Sequence, residues 1–278
     1  MRWAILGVAV LLLAGCAPAA ASLPDGVTVA VYQGRFDRAE RQLELKVTNG
    51  TDATITVTAA ELDSTRFATP ALWDRPQDIP SGSARDLRVQ LGAPACGDTV
   101  ARDEVVLHFT LADGTSGTSR LAIDDVSAID TISAEDCLAE AVGAIATIRV
   151  SKFLAWQPDA HAAASLDITV TPTGSAGTLS VTESSATVLL SLIDSTGAPV
   201  FTQPESVVVS AGSAPGVIRL QVIPARCDPH AVAEDKRGTI FPLRVHTSDG
   251  LAGQIAVPVS DAVRSELYAY YGDYCGLP

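Results

Sequence analysis

Beyond its first residue this chain has no methionine: Met1 stands alone in 278 residues. Without thioether sulfur there is no soft ligand set of the kind a methionine-rich copper carrier needs. Lysine is scarce as well, limited to Lys46, Lys152 and Lys236, and acids outnumber bases 32 to 19. The resulting formal charge of −13 repels phosphate backbones and anionic headgroups. No Lys/Arg block overrides it, so nucleic acid is not an expected partner. No apolar run reaches the roughly 18 residues that a permanent membrane helix requires. Also missing are His-Glu-x-x-His, a phosphate loop, a dinucleotide glycine fingerprint and a Gly-x-Ser-x-Gly elbow, which removes the commonest hydrolase and nucleotide chemistries. Convincing helical periodicity is rare throughout.

What is present begins at the amino end. Met1-Arg2-Trp3 carries one positive charge, and residues 4–13 form an apolar run broken only by Gly7. This is the charged and apolar portion of a secretory signal. Leu13-Ala14-Gly15-Cys16 follows and resembles the lipobox of bacterial lipoproteins. The resemblance implies cleavage after Gly15, diacylglycerol on the Cys16 thiol and acylation of the new amino group, a palmitate-type anchor whose several chains hold stably in a bilayer. It places the protein on a cell membrane or outer membrane, facing away from the cytoplasm. The alternative is an ordinary signal peptide with an incidental cysteine. Residues 17–24 are small and proline-marked and predict a flexible tether.

The rest reads as short alternating strands separated by Gly, Pro, Asp and Ser. Leu43-Glu44-Leu45-Lys46-Val47-Thr48 alternates cleanly, and Asn49-Gly50 then predicts a hairpin or tight turn into residues 53–58. Lys46-Val47-Thr48-Asn49-Gly50-Thr51 resembles a strand and turn of bacterial immunoglobulin-like modules. The second half repeats the first in order. Leu166–Thr171 matches Leu43–Thr48, Gly212-Ser213-Ala214 matches Gly82-Ser83-Ala84, and Arg219–Val222 matches Arg88–Leu91. Each of the last two is followed closely by Pro-Ala and a cysteine. Leu243–Gly250 matches Leu107–Gly114, and each half closes on a cysteine, Cys137 or Cys275. Ordered self-similarity of this kind points to an internal duplication. The expected fold is therefore all-β: two tandem immunoglobulin-like antiparallel sandwiches. Expected divisions are a signal peptide over 1–15, a lipidated tether over 16–25, and sandwiches over 26–140 and 145–278, with the boundary near 139–146. Leu43, Leu45, Val47, Leu107, Phe109, Leu166, Ile168, Val170, Leu243 and Val245 are the expected core.

Besides Cys16 there are four cysteines, Cys96, Cys137, Cys227 and Cys275. An even number in an exported chain reads as disulfides, and the repeat favours Cys96–Cys137 and Cys227–Cys275 among three pairings. On the chain-entropy model, loops of this length restrict the unfolded state by ~3–4 kcal/mol each. A metal site is not expected, since the cysteines lack ligand spacing, and Asp98, Asp103-Glu104 and Asp124-Asp125 lack a calcium-loop pattern. No cofactor is expected.

Candidate recognition residues cluster at the end of the chain: Tyr268, Tyr270, Tyr271 and Tyr274, four of five tyrosines. Tyrosine buries area at low entropic cost and keeps a polar tip. Set against that is plain packing around the Cys227–Cys275 bridge, as an end-of-chain strand docks. Trp73 and Trp156 lie in proline-adjacent loops and are further candidates. The expected function is a non-catalytic binding or structural module, anchored to a membrane through its lipid and meeting an envelope protein or glycan. One alternative is a small-molecule or ion carrier, with convergent polar groups at the 139–146 junction. Another is a hydrolase using His161 or His230. His108 and His246 fall on the outer faces of matched strands.

Overall fold

The computed structural model describes residues 21–34, 37–97, 100–233, 235 and 237–277, so Cys16 and its flanking segment lie outside the described residues. The chain divides into two compact units, one ending at Ile129 and the other starting at Asp130.

The first unit runs β1 (Val27–Tyr32), α1 (Asp37–Glu40), β2 (Gln42–Asn49), β3 (Ile55–Ser64), β4 (Ala71–Trp73), β5 (Gln77–Ile79), β6 (Ser83–Gln90), β7 (Asp103–Thr110) and β8 (Ser116–Ala122). One sheet is ordered β1-β2-β6 and the other β4-β3-β7-β8, with β5 beside β3, all antiparallel. Period-two alternation turns Leu43, Leu45, Val47, Leu87 and Val89 inward from one sheet and Val57, Leu107 and Phe109 inward from the other.

The second unit takes most of α2 (Ser127–Ile145) and continues with β9 (Ala146–Val150), β10 (Ala164–Pro172), β11 (Thr178–Ser185), β12 (Leu190–Ile193), β13 (Pro199–Val200), β14 (Thr202–Ser210) and β15 (Gly216–Pro224). It ends with α3 (Pro229–Ala233), β16 (Ile240–Thr247), β17 (Ala252–Pro258) and α4 (Asp261–Cys275). Its sheets are ordered β13-β12-β15-β10-β9 and β14-β11-β16-β17. Lettered as immunoglobulin strands, both units place A-B-E in one sheet and C-F-G in the other. Both also carry a bulge at the same point of strand C, between Val57 and Ala59 and between Val181 and Glu183. All ten expected core residues are buried.

Four expectations need correction. Asn49-Gly50 is not a hairpin, because β2 pairs with β1 and β6 while β3 belongs to the other sheet. Instead Asn49 is fully buried and holds the crossing loop. Its Nδ2 donates to the carbonyls of Ala53 and Ile79, each at 2.8 Å, and its Oδ1 accepts from Thr51 N and Oγ1. Gly50 is needed there, since a Cβ would sit 2.8 Å from the Gly26 carbonyl oxygen. Second, the tyrosine-rich end is a helix of 15 residues and not a docked strand, and Cys137 lies within a helix of 19 residues. Third, the division falls before the 139–146 stretch, because Leu138, Val142 and Ile145 of α2 belong to the second unit's core. Finally, the tether is held at its described end: Ala21 N donates to the Ser116 carbonyl at 3.0 Å, passing over Gly117, where a Cβ would collide with the Ala21 carbonyl.

Candidate functional site

The tyrosines are set out by α4. Ser260 caps its start by accepting from Val263 N, and Asp261 complements the positive end of the helix. Gly276, at φ 61°, closes the other end: its N–H donates to Asp273, and Leu277 N donates to Gly272 at 2.9 Å. That pair of bonds is a Schellman motif. Between the caps, Val263, Leu267, Tyr270 and Tyr271 fall on one face and are buried.

Tyr270 and Tyr271 act as interior struts. Tyr270 is 2% exposed, and its hydroxyl lies 3.0 Å from the carbonyls of both Ala162 and Val222. Burial pushes its pKa up to about 12. The Tyr271 hydroxyl donates to the Arg226 carbonyl and accepts from Asp228 N, so it grips both sides of Cys227. Cys227 is bonded to Cys275 at the end of the same helix. The half-buried Tyr268 donates to Asp235 at 3.0 Å; burial, then that bond, raises its pKa. Tyr274 packs against Tyr270 and the His161 ring, and half-buried Trp156 meets Tyr270 edge-on at 5.6 Å. Three polar contacts fasten the loop before β10 onto α4. Leu154 N donates to Glu266 at 2.8 Å, Asp159 N to Asp273 at 3.0 Å, and the His161 Nδ1–H to the Tyr274 carbonyl at 3.0 Å. Of the two readings for the tyrosines, these contacts are those of packing around the bridge.

The histidines are brought to no shared centre. His161 has a main-chain carbonyl as its partner, and His230 is 87% exposed at its side chain, 3.4 Å from Asp228. His108 meets Thr118 on the outer face of the first unit, and His246 is exposed. A hydrolase of that kind requires a serine or a carboxylate within about 3 Å of the imidazole; His161 has neither among the described residues, and His230 has only the exposed Asp228, at 3.4 Å. Asp103 is engaged by Ser64 and Arg66, and Glu104 by Arg120. Among the described residues no three His, Cys, Asp or Glu side chains are grouped to hold a metal ion, and no helix is long and apolar enough to cross a membrane. Cys96 and Cys137 are each disulfide-bonded.

Two concave surfaces remain. In the second unit, a groove of about 320 Å³ runs between α2, β9 and β17, lined by Ala139, Val142, Gly143, Ile148, Ile255 and Val257 among others. Its walls are apolar, where the carrier alternative calls for converging polar groups. In the first unit, Trp73 is 7% exposed, facing inward from β4, yet it borders a polar pocket of about 570 Å³. Glu44, Asp86 and Arg88 line that pocket from the outward positions of β2 and β6, Arg75 from the link between β4 and β5, and Gln77 from the start of β5. Sequence reasoning missed these five. The signal was there in two matched alternations: with Leu43, Leu45, Leu87 and Val89 inward, Glu44 and Arg88 face outward on neighbouring strands, directly opposite each other.

No protein family model matches the chain, and no curated protein does. Among solved structures, it is similar to the B domain of a biofilm associated protein at 9% identity, over 85% of this chain and 86% of that one, with a TM-score of 0.25. It is similar to the YadV chaperone at 12% identity, over 84% and 100% of the two chains, with a TM-score of 0.24. Red sea bream transglutaminase gives 9% identity over 86% of this chain, with a TM-score of 0.26; the chain covers 32% of that protein's length. The β-sandwich assignment stands on the strand pairing itself.

Proposed function

We propose that this chain is a lipid-anchored, extracytoplasmic binding or structural module of a bacterial envelope and that it performs no catalysis. One observation carries the reading: a Leu13-Ala14-Gly15-Cys16 segment precedes two β-sandwich units in which Cys96, Cys137, Cys227 and Cys275 are all oxidised. Disulfides persist outside the reducing cytoplasm, and an acylated Cys16 keeps such a chain at a membrane. The sandwiches then present loops and strand edges to an envelope protein or a glycan. The shared strand order and the matched bulges support descent from one duplicated sandwich. Cys96 pairs with Cys137, as the repeat implies.

Cys16→Ser tests the anchor. The variant should move from the membrane fraction to the soluble extracytoplasmic fraction, and retention in the membrane would overturn the reading. Non-reducing peptide mapping tests the bridge: a linked Cys96–Cys137 peptide is expected, and any other partner for either cysteine refutes it.

A further inference from the structure

We infer that the pocket beside Trp73 is a saccharide-binding site. This rests on the binding-module reading and deepens it by naming a glycan as the ligand class. The volume of about 570 Å³ falls within the range of small-ligand sites. Its charged lining is balanced, with Glu44 and Asp86 against Arg75 and Arg88. A lining of two acids and two bases does not call for a free ion of either sign. It does suit a polyol. Each sugar hydroxyl donates and accepts at once, so neighbouring hydroxyls need both kinds of partner side by side. Here carboxylates accept, guanidiniums donate, and Gln77 does both.

The site is also organised in advance. Glu44 is 5% exposed and is held by Arg88, whose Nη2 lies 2.6 Å from its Oε1. The Nε of Arg88 is in turn 3.2 Å from Asp37, itself 3% exposed. Acceptors fixed in this way lose little freedom when a ligand arrives. Arg75, by contrast, is exposed and has no ion-pair partner among the described residues, leaving its guanidinium available at the rim. Trp73, though 7% exposed, lines the pocket and gives its wall an apolar part.

The experiment is calorimetric titration of the full chain with tri-N-acetylchitotriose, cellotriose, maltotriose and mannotriose, with inorganic phosphate as the ion control. At least one saccharide should bind and phosphate should not. Arg75→Ala removes one charged hydrogen-bond donor and should weaken that saccharide by about tenfold. Glu44→Gln should weaken it too. Arg75 is exposed, so its variant keeps the test valid even if Glu44→Gln fails to fold. Absence of binding to all four saccharides overturns the inference, as does binding that Arg75→Ala leaves unchanged, or competition by phosphate. None of these outcomes bears on the fractionation of Cys16→Ser, so the anchor and the sugar site fail separately.

Discussion

Asn49 shows how much one side chain organises. Its amide makes four hydrogen bonds in a fully buried position and ties the loop from β2 to β3 to the carbonyl of Ile79 on β5. Asn49→Ala leaves the buried Ile79 carbonyl without this donor and removes the acceptor of Thr51 N, while the exposed Ala53 carbonyl keeps the Thr51 hydroxyl. The expected loss is about 2–4 kcal/mol in urea unfolding, and a loss under roughly 0.5 kcal/mol, the ordinary surface value, would contradict it. Tyr270 gives a pH-dependent counterpart. Its folded pKa is raised to about 12 from the ordinary 10, so the folded state favours the neutral phenol. The associated stability is complete below pH 10 and is lost as pH rises toward 12. Absorbance titration should show a late tyrosine ionisation near pH 12. Tyr270→Phe should remove that late step and flatten the alkaline stability loss. At this scale the sequence spoke in part: Asn49-Gly50 marks a sharp change of direction, but whether the chain returns to the same sheet or crosses to the other depends on which strand is next in space.

At the level of elements, the strands were legible and the two long helices were not. Alternation sorted Leu43, Leu45 and Val47 from Glu44 and Lys46 without ambiguity. In α4, the tyrosines at 268, 270, 271 and 274 look like a dense aromatic run. The helical face emerges only when Val263 and Leu267 are counted with Tyr270 and Tyr271. Ser260 and Gly276 were the overlooked boundary signals. In α2, the alanines and the scattered Leu138, Val142 and Ile145 give a weak stripe, and its packing partners come from the second unit's core. The same helix displaced the expected domain boundary. Since Tyr270 and Tyr271 are buried, replacing both with serine would test packing and not recognition. Ser260→Ala should cost about 1 kcal/mol through the lost cap. The paired change Cys227→Ser with Cys275→Ser opens a 48-residue separation and should cost about 4 kcal/mol. Thermal unfolding compared with the wild type checks both; an unchanged midpoint in the double variant would show that α4 holds without its bridge.

In the whole molecule, two sandwich units share one strand order, and the proposal places them behind a lipidated Cys16. The repeat was readable in the sequence because matched segments share their inward residues, although their outward residues differ, as His108 and Arg244 do. The Trp73 pocket was not readable, since it depends on the β4–β5 link reaching the outward side of β6. The amino-terminal docking has its own consequence. Ala21 is fixed against Ser116, and the five-residue step back to Cys16 spans at most about 18 Å. On the proposed lipid anchor, the first unit should then stand close to the membrane. Gly117→Val should release residues 21–24, and limited proteolysis should then cut that segment in the variant well before the wild type.

The most direct test of the account is the intact mass of the processed protein, extracted from the membranes of an expressing bacterium. The account predicts a chain beginning at Cys16 with diacylglycerol on its thiol. A chain that begins elsewhere, or that carries a free Cys16 thiol, would contradict it.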